Sequence, residues 1–411
     1  MEYGCIGNPL GHSYSEEIHR LIGGYRYELK QLREDELPDF FAAADFKGIN
    51  VTIPYKQAVI PYLDGISDRA GRIGAVNTIV NRGGKLYGDN TDFIGLSALL
   101  FREKIDLKAK KVLILGTGGT AKTALAVAEE LGAREIVRVS RTGRDGAVTY
   151  ADAASRHADA EILLNATPCG MYPEIAPAPI DPDLFPKLGS VIDVIYNPLR
   201  TTLLLEAEKR GLKTAGGLFM LVSQAVAAAS LFFPDRAPAD PEAVYRALLR
   251  KKRNLVLIGM PTCGKSTVGK TAAFLSEKRF FDTDVLFREK FALSPAEYIG
   301  IHGEKSFRDA EAEIVAGIAG ENSSVIAVGG GTVLREENVA ALKKNGVLVW
   351  LDRPLSLLRP SARRPLSSDA EKLAALYHER RPVYEAAADL RIDASGPVSE
   401  VIADLLGNHL I

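Results

Sequence analysis

The sequence predicts an α/β protein made of several parallel-sheet units. Apolar strand-like runs alternate with helical runs along most of the chain, which is the pattern of such units. Two of the strand-like runs, KVLILG and NLVLIG, lead directly into glycine loops of different design, GTGGTA and GMPTCGKST. The length of 411 residues fits about two or three domains. We therefore expect two nucleotide-binding units and a further domain for a substrate.

Charge and cysteine content exclude several classes of protein. The chain has 51 Lys and Arg against 52 Asp and Glu, so no basic field favours nucleic acid or a membrane surface. Cys5, Cys169 and Cys263 are too few and too far apart for a disulfide framework or a tetrahedral zinc site. No signal peptide and no membrane-spanning run is visible. We expect a cytoplasmic protein without nucleic-acid or membrane partners.

Residues 1–95 form the first predicted domain, in which short strands such as GINVTI and AVNTIV alternate with helical pieces. Ser13 and Ser15 follow a GNPLGH turn and can present two hydroxyls to a carboxylate. Lys56 ends GINVTIPYK and Asp92 lies in GDNTDFIG. A lysine and an aspartate can form the proton-transfer pair that accompanies hydride movement at a carbonyl. The sequence does not assign the proton, but a lysine acid or oxyanion stabiliser supported by the carboxylate is the arrangement we favour.

The second predicted domain covers residues 96–250 and begins with a strand, a helix and a strand. KVLILG, TALAVAEELG and EIVRVS make a βαβ unit of the Rossmann type, whose glycine loop suits a dinucleotide. Enzymes that select NAD tend to have an acidic residue after the second strand, whereas this chain has Arg141 and Arg144 there. Guanidinium groups fit a 2′-phosphate, so the pattern favours NADP. We leave open that the last helices of this domain pack on the first domain.

The third predicted domain covers residues 253–411 and follows a boundary at 251–253. Its strand-like runs, NLVLIG, RFFDTD, SVIAVGGG, VLVWLD and DLRIDA, predict a five-stranded parallel sheet. The loop GMPTCGKS satisfies G-x-x-x-x-G-K-[ST] between a strand and a helix, which is the context of a P-loop for a nucleoside triphosphate.

The polar residues of this P-loop and of the next strand suit phosphoryl transfer. Lys265 would span the outer phosphates, and the Ser266 hydroxyl would join a magnesium shell. Asp282 and Asp284 are two residues apart and point to the same side of an extended backbone. One of them could hold magnesium through water and the other could hold a hydroxyl.

Six pieces in order make residues 253–411 resemble shikimate kinase: GxxxxGKST, FFDTD, HGExxFRxxE, the GGG turn, RPL and RxPxY. The resemblance implies that Asp284 binds the acceptor hydroxyl and acts as its base, beside Lys265. It further implies a magnesium site at Ser266 and Asp282. Substrate contacts are implied at Asp284, Arg308, Gly330 and Arg380, and ATP contacts at Thr262, Cys263, Gly264, Lys265, Ser266, Thr267 and, from a lid, Arg364. The chain departs from the family at Pro261-Thr262, where a Met-Gly pair is usual, and in a short lid between Leu358 and Asp369.

Residues 1–250 resemble shikimate dehydrogenase in GNPLGHSYS, NVTIPYK, GAVNTIV, GDNTD, GTGGTA, SRT, NATPCGM, DVIYNPLRTTLL and GLFMLVSQA. The resemblance implies acid–base catalysis by Lys56 with Asp92. Further substrate contacts are implied at Ser13, Ser15, Thr52, Asn77, Tyr196 and Gln224, and NADP contacts at Gly116, Thr117, Gly118, Gly119, Thr120, Ser140, Arg141, Thr142, Arg144, Val194 and Gly217. The chain departs from the family at Glu16, usually proline, at Ser140, usually asparagine, and at Arg144, a basic residue one place early.

Together the resemblances imply a bifunctional enzyme of the shikimate pathway. It would reduce 3-dehydroshikimate with NADPH and then phosphorylate shikimate to shikimate 3-phosphate with ATP and Mg²⁺. The hydroxyl created by the hydride at C3 would be the one that attacks the γ-phosphate. Two alternatives stay open: a quinate/shikimate dehydrogenase of broader specificity joined to the kinase, and one half that senses a nucleotide without turnover. A homo-oligomer through the dehydrogenase half is also left open.

Overall fold

The computed structural model describes residues 1–10, 13–144, 146–173, 177–360 and 368–410. The chain divides into two units, Met1–Leu248 and Leu249–Ile411. Within the described residues, the first unit holds a six-stranded and a five-stranded sheet and the second unit holds one five-stranded sheet. The predicted α/β class, with a kinase-type parallel sheet at the C-terminal end, is confirmed.

The first sheet has the order β2-β1-β3-β5-β6-β4. β1 pairs in parallel with β2 and β3, whereas β5 is antiparallel to β3 and β6. Every residue of β1 and β3 is buried, so these strands form the centre of this domain. The strands are β1 (Tyr3–Gly7), β2 (Glu28–Gln31), β3 (Gly48–Val51), β4 (Gly65–Ile66), β5 (Thr78–Arg82) and β6 (Lys85–Asp89), and the helices are α1 (Ser15–Ile22), α2 (Leu37–Ala43), α3 (Asp68–Ile73) and α4 (Thr91–Arg102).

The second sheet is entirely parallel, in the order β11-β10-β9-β7-β8. Its central strands are apolar and buried because helices cover both faces. The strands are β7 (Lys111–Leu115), β8 (Glu135–Val139), β9 (Ile162–Asn165), β10 (Ser190–Asp193) and β11 (Lys213–Gly216), and the helices are α5 (Gly119–Glu130), α6 (Tyr150–Arg156), α7 (Thr202–Lys209), α8 (Leu218–Phe232) and α9 (Pro241–Lys252).

Helix α8 follows the second sheet in the chain but packs on the first. It lies against α1, α4 and the strands β3 and β5. The Phe232 ring sits directly on Gly48, where an added Cβ would come within 2.3 Å of the ring. The glycine therefore permits the close approach of α8 to β3, and this approach brings Gln224 of α8 to the first domain.

The third sheet is also entirely parallel, in the order β13-β14-β12-β15-β16. Helix α12 is bent at Gly303, which has φ 80°. The strands are β12 (Asn254–Ile258), β13 (Arg279–Asp282), β14 (Ser324–Ala327), β15 (Gly346–Asp352) and β16 (Leu390–Asp393), and the helices are α10 (Lys265–Leu275), α11 (Thr283–Phe291), α12 (Pro295–Ala319), α13 (Glu336–Asn345), α14 (Ala370–Ala387) and α15 (Val398–Gly407).

Across the described ranges, every helix is too short or too polar to span a membrane.

Candidate active sites

An ion pair forms the centre of the first site. Nζ of Lys56 lies 2.6 Å from Oδ2 of Asp92, and the two side chains are only 15% and 11% exposed. Asp92 lies in the first turn of α4, whose N-cap residue Asn90 accepts a hydrogen bond from the N–H of Phe93. The positive end of the helix dipole favours a carboxylate at this position. Lys56 therefore keeps a charge-assisted hydrogen bond to Asp92 that is shielded from water. Its ammonium group still has N–H donors for a ligand.

The Lys56 side chain also reaches the glycine loop of the second sheet. A Cβ added at Gly119 would lie 3.7 Å from Cδ of Lys56. Gly119 is the first residue of α5, and Gly116 turns the chain into this helix with φ 111°. A helix N-terminus that follows a buried strand suits a pyrophosphate. The ion pair thus lies beside the loop that would bind a dinucleotide.

Asn77 and Gln224 meet in a buried amide network next to Asp92. Nδ2 of Asn77 donates to Oγ1 of Thr91 at 3.0 Å and to Oε1 of Gln224 at 3.4 Å. Oδ1 of Asn77 accepts the N–H of Thr91 at 2.7 Å. We did not predict Thr91 as a linking residue, although it directly precedes Asp92 in the GDNTD motif. Its hydroxyl and main chain fix both amides beside the ion pair.

The two predicted serines are neighbours at the start of α1. Oγ of Ser13 donates to Oγ of Ser15 at 3.0 Å, and the N–H of Ser15 donates back to Oγ of Ser13 at 3.2 Å. Between them, Tyr14 places its ring 5.2 Å from the ring of Tyr196. Burial raises the pKa of Tyr196, so its hydroxyl stays protonated at neutral pH. The two serine hydroxyls, and separately the Tyr196 hydroxyl, can bind a carboxylate or an alcohol without adding a charge.

Cys5 and Thr52 lie in and beside the C-terminal half of β1. Burial raises the pKa of the Cys5 thiol to about 12, and this thiol interacts electrostatically with both Lys56 and Tyr196. The N–H of Thr52 donates to the carbonyl of Ile6 at 3.0 Å, and its methyl group lies over Gly7.

The turn after β8 presents the predicted NADP residues. Oγ of Ser140 accepts the N–H of Gly143 at 3.0 Å and closes the turn. Arg141, Thr142 and Arg144 are exposed on it. The serine that replaces the usual asparagine therefore still supplies a side-chain acceptor. The two guanidinium groups are free of burial cost and can meet a phosphate.

A second buried network supports Val194 and Gly217. A Cβ at Gly217 would lie 2.0 Å from the carbonyl oxygen of Val194, so only glycine fits there. Asp193 accepts hydrogen bonds from Asn165 Nδ2, the N–H of Ile195 and the Thr201 hydroxyl, at 3.1, 3.1 and 2.7 Å. Burial raises the pKa of Asp193 to about 6, although its three donors act in the opposite direction. Sequence reasoning assigned no role to Asp193, because an acid inside an apolar strand gives no sign of its partners.

The second site lies at the P-loop of the third sheet. Gly259 and Gly264 have φ 140° and 102°, which lets the loop wrap a phosphate. Nζ of Lys265 donates to the carbonyls of Gly259 and Met260 at 2.9 Å each. Oγ of Ser266 donates to Oδ2 of Asp282 at 2.6 Å. Lys265 and the two predicted magnesium ligands, Ser266 and Asp282, therefore lie together at the P-loop.

Asp282 also positions Asp284. Oδ1 of Asp282 accepts the N–H of Asp284 at 3.0 Å and caps α11, so that Asp284 lies in the first turn of this helix. No group of three or more His, Cys, Asp and Glu side chains in the described ranges is arranged as a metal site. A hydroxyl and one carboxylate are, however, the oxygen ligands with which magnesium binds when phosphates and waters complete its shell. These residues therefore fit that ion.

The unusual Pro261-Thr262 pair makes specific contacts. Thr262 has φ 65°, a strained region for a β-branched residue. Its hydroxyl donates to the Arg359 carbonyl at 3.2 Å and accepts the Arg359 N–H at 3.3 Å. A Cβ at Gly330 would lie 2.9 Å from Cδ of Pro261, so the proline rests on the GGG turn. Arg364, predicted to close over ATP, lies outside the described residues.

Arg308 is held in the second site by two carboxylates. Its Nη1 donates to Glu311 at 2.7 Å and its Nη2 to Glu304 at 3.0 Å. Burial opposes the charge of Arg308, but the two carboxylates outweigh it and raise the pKa of the guanidinium. Glu311 also accepts the Thr332 hydroxyl at 2.7 Å and is 3% exposed. We assigned Glu311 no function from the sequence, although it belongs to the FRxxE piece.

The GGG turn brings the remaining predicted substrate residues together. A Cβ at Gly329 would lie 3.6 Å from Oδ1 of Asp284, and one at Gly331 would overlap Nη2 of Arg308. The Tyr384 hydroxyl donates to the Gly330 carbonyl and interacts electrostatically with Arg380 and Arg308. Arg380 is 4% exposed, and its buried Nε has no hydrogen-bond partner among the described residues. A buried guanidinium N–H without a partner is costly unless a ligand satisfies it.

Comparison with known proteins matches each part of the chain to a family. Residues 5–79 match the family model of the shikimate dehydrogenase substrate binding domain, and residues 261–410 match that of shikimate kinase. A shikimate dehydrogenase (NADP(+)) of Clostridium perfringens is 38% identical over 247 residues, which cover 56% of this chain and 91% of the relative.

Two solved structures extend the comparison. A chorismate mutase/shikimate 5-dehydrogenase fusion protein from Clostridium acetobutylicum has 34% identity and a TM-score of 0.56, and the match covers 60% of this chain and 96% of that chain. Shikimate 5-dehydrogenase from Thermus thermophilus, in complex with NADP(H) and shikimate, has 32% identity and a TM-score of 0.54, with 61% and 99% covered. Both predicted resemblances are confirmed. The chain belongs to the shikimate dehydrogenase family and carries a shikimate kinase domain at residues 261–410.

Proposed function

We propose that this chain is a bifunctional enzyme that reduces 3-dehydroshikimate to shikimate with NADPH and phosphorylates shikimate to shikimate 3-phosphate with ATP. The observation that carries the proposal is the same in both units: a polar catalytic group lies beside a glycine loop. In the first unit it is the Lys56–Asp92 pair beside Gly119. In the second it is Asp284, which is joined to Ser266 of the P-loop through hydrogen bonds to Asp282. The family matches support the identity of both substrates.

In the reduction, Lys56 acts as the proton donor. NADPH supplies the hydride that adds to the carbonyl carbon, and the carbonyl oxygen takes a proton from Nζ of Lys56. Asp92 accepts one N–H of the ammonium group at 2.6 Å and so orients the remaining N–H groups toward the substrate. The low exposure of the pair excludes water, which strengthens the stabilisation of the developing oxyanion.

Neutral groups hold the substrate of the reduction. Ser13 and Ser15 bind its carboxylate through two hydroxyls that already lie side by side. Its ring hydroxyls are bound by Asn77 and Gln224 of the amide network and by Thr52 and Tyr196.

The cofactor is bound by the glycine loop and by the turn after β8. The N–H groups at the start of α5 face its pyrophosphate. The exposed Arg141 and Arg144 bind the 2′-phosphate, in a turn that Ser140 closes. The complete set is Gly116, Thr117, Gly118, Gly119, Thr120, Ser140, Arg141, Thr142, Arg144, Val194 and Gly217.

In the phosphorylation, Asp284 accepts the proton of the attacking hydroxyl. Magnesium supplies positive charge at the phosphates, and Ser266 and Asp282 would hold it. Lys265 exchanges its bonds to loop carbonyls for the outer phosphates. The ATP set is Thr262, Cys263, Gly264, Lys265, Ser266, Thr267 and Arg364.

Arginines hold the substrate of the phosphorylation. The buried Nε of Arg380, with no partner among the described residues, is the donor that a substrate carboxylate would satisfy. Gly330, the middle residue of the GGG turn, and Arg308 complete this binding site, because Arg308 lies against Gly331 and Asp284 lies near Gly329.

A pair of single substitutions tests the two activities in one polypeptide. We expect Lys56→Met to abolish NADPH oxidation by 3-dehydroshikimate while phosphorylation of added shikimate continues. We expect Asp284→Asn to give the opposite result. Initial rates of both reactions, measured on each purified full chain, decide the question. Loss of both activities in either variant would contradict separate sites, and no NADPH oxidation by the parent would favour a nucleotide-sensing first unit.

The same assay separates the remaining alternatives. A dehydrogenase of broader specificity would oxidise quinate as fast as shikimate, and NAD in place of NADP would reveal a relaxed cofactor site. We also propose the domain bounds 1–95, 96–250 and 253–411 and a cytoplasmic location, which the three unpaired cysteines support. Sedimentation analysis would test a homo-oligomer through the dehydrogenase half.

A further inference from the structure

Arg69 and Asp89 form a half-buried ion pair at the entry to helix α4. Nη2 of Arg69 donates to Oδ2 of Asp89 at 2.8 Å and to Oδ1 at 3.0 Å, and Nε donates to Oδ1 at 3.2 Å. Oδ1 also accepts the Ser67 hydroxyl at 2.6 Å. The side chains of Arg69 and Asp89 are 32% and 16% exposed, so water screens this pair less than a surface pair.

Asp89 passes this constraint to Asp92 through Asn90. Oδ1 of Asp89 accepts the N–H of Asn90 at 2.7 Å. Asn90 is fully buried, and its own Oδ1 accepts the N–H of Phe93 at 3.3 Å as the N-cap of α4. Asp92 lies inside this capped turn. A shift of the Asp92 carboxylate would therefore disturb the cap residue Asn90, whose main-chain N–H is bound by Asp89.

The same pair is connected to Lys56 through residues 75 and 76. Nδ2 of Asn90 donates to the carbonyl of Ala75 at 2.9 Å. The N–H of the next residue, Val76, donates to the carbonyl of Lys56 at 2.7 Å. Helix α3, which carries Arg69, leads directly into this segment. Both members of the catalytic pair are thus joined to one hydrogen-bonded frame.

We propose that Arg69 is a positioning residue for the reduction, which through Asp89 and Asn90 holds Asp92 and Lys56 at reactive distance. This inference rests on the proposed reduction of 3-dehydroshikimate. Burial works against the charge of Asp89, but Ser67, Arg69 and the Asn90 N–H together lower its pKa, in agreement with a carboxylate that stays ionised as an acceptor. Arg69 itself has no assigned contact with substrate or cofactor.

Arg69→Met in the full chain tests the proposal, because it keeps much of the side-chain volume and removes the fork. We expect kcat of the reduction to fall about ten- to a hundredfold, as misplacement of a catalytic group by about 1 Å costs that much. We expect KM for 3-dehydroshikimate to change much less. Arg69→Lys, which keeps the charge and one donor, should recover part of kcat.

Two controls accompany this variant. Arg72→Met changes an arginine of the same helix whose ion pair with Glu130 is exposed, at 57% and 55% for the two side chains, and it should leave both activities unchanged. Phosphorylation of shikimate by the Arg69→Met chain should also be unchanged, because the P-loop belongs to the other unit of the chain.

Several results would overturn the proposal. An unchanged kcat in Arg69→Met, or a raised KM with the same kcat, would mean that Arg69 does not position the pair. If Arg69→Met does not fold, Asp89→Asn is measured instead, and its kcat must then fall with little change in KM. A parent chain that fails to reduce 3-dehydroshikimate would refute the proposed function itself and not this inference.

Discussion

The two units place a carboxylate that we propose to be catalytic in the same way, but they surround it with different charges. Asp92 and Asp284 each lie in the first turn of a helix that follows a buried or half-buried strand, and each turn is capped by the side chain just before the helix. The cap is neutral Asn90 in the first unit and ionisable Asp282 in the second. A neutral cap leaves Lys56 as the counter-charge, whereas a second carboxylate suits a site that binds a cation.

The two units also differ in the charge of the residues predicted to bind their substrates. The reduction moves one hydride and one proton, and its predicted substrate contacts, besides the Lys56–Asp92 ion pair, are serines, a threonine, a tyrosine and amides. The phosphorylation moves a charged group, and its predicted contacts include two charged donors: Arg308, whose pKa Glu311 and Glu304 raise, and the buried Arg380. The charges of the binding residues in each unit are therefore suited to the charge of the group that its reaction moves.

We expect the strongest effect from removing the charge of the Asp282 cap. Asp282→Asn keeps a good N-cap for α11 but removes a negative charge and a proposed magnesium ligand. We expect phosphorylation to slow about a hundredfold or more, since such electrostatic contacts contribute on that scale. Steady-state kinetics with varied Mg²⁺ measures the effect.

A matched control exists for this change. Asp369→Asn alters the exposed cap of α14, which accepts the Lys372 N–H at 2.8 Å, and it should leave phosphorylation intact. If Asp282→Asn phosphorylated shikimate at the parent rate, Asp282 would be a structural cap alone.

The reverse change tests the neutral cap. Asn90→Asp places a buried carboxylate near Asp92 and removes the donor to the Ala75 carbonyl. We expect a loss of roughly 2–3 kcal/mol of stability, the usual cost of an unsatisfied buried charged group. We also expect reduction to slow about tenfold because the Lys56–Asp92 pair moves.

Denaturant unfolding and NADPH oxidation rates measure these effects. The phosphorylation rate of the Asn90→Asp chain serves as the internal control. Parent-like stability and reduction would show that the neutrality of this cap is irrelevant.

We expect the mildest effect from a change within the P-loop, at Thr262. Thr262 replaces a glycine and adopts φ 65°, which costs an L-residue roughly 1–2 kcal/mol. Its two hydrogen bonds to Arg359 offset this strain. Thr262→Val keeps the backbone strain and loses both hydrogen bonds to Arg359. Thr262→Gly loses these hydrogen bonds but also relieves the strain.

We therefore expect Thr262→Val to be less stable than Thr262→Gly by about 1–2 kcal/mol. Urea unfolding of the two variants and of the parent makes the comparison. Equal stability of the valine and glycine variants would show that the backbone strain is absent.

Much of this comparison could be predicted from the sequence, because the features that it needs are local. The strand-loop-helix context of both glycine loops, the five-stranded third sheet and the two families all follow from short runs. The supporting networks could not be predicted in this way. Asn77 and Gln224 lie 147 positions apart, and Asp193 binds Thr201 and Asn165 from two other segments. Polar residues such as Arg69 follow no periodic pattern in the sequence. Only their contacts in the structure show which residues they position.

We propose that both sites act in turn on one small carboxylate. The most direct measurement supplies the purified chain with 3-dehydroshikimate, ATP, Mg²⁺ and NADPH that carries deuterium at the transferred position, and then analyses the product by mass spectrometry and NMR. We predict shikimate 3-phosphate with one deuterium on the carbon that bears the phosphate ester. A phosphorylated product without deuterium, or deuterated shikimate that is never phosphorylated, would contradict the account.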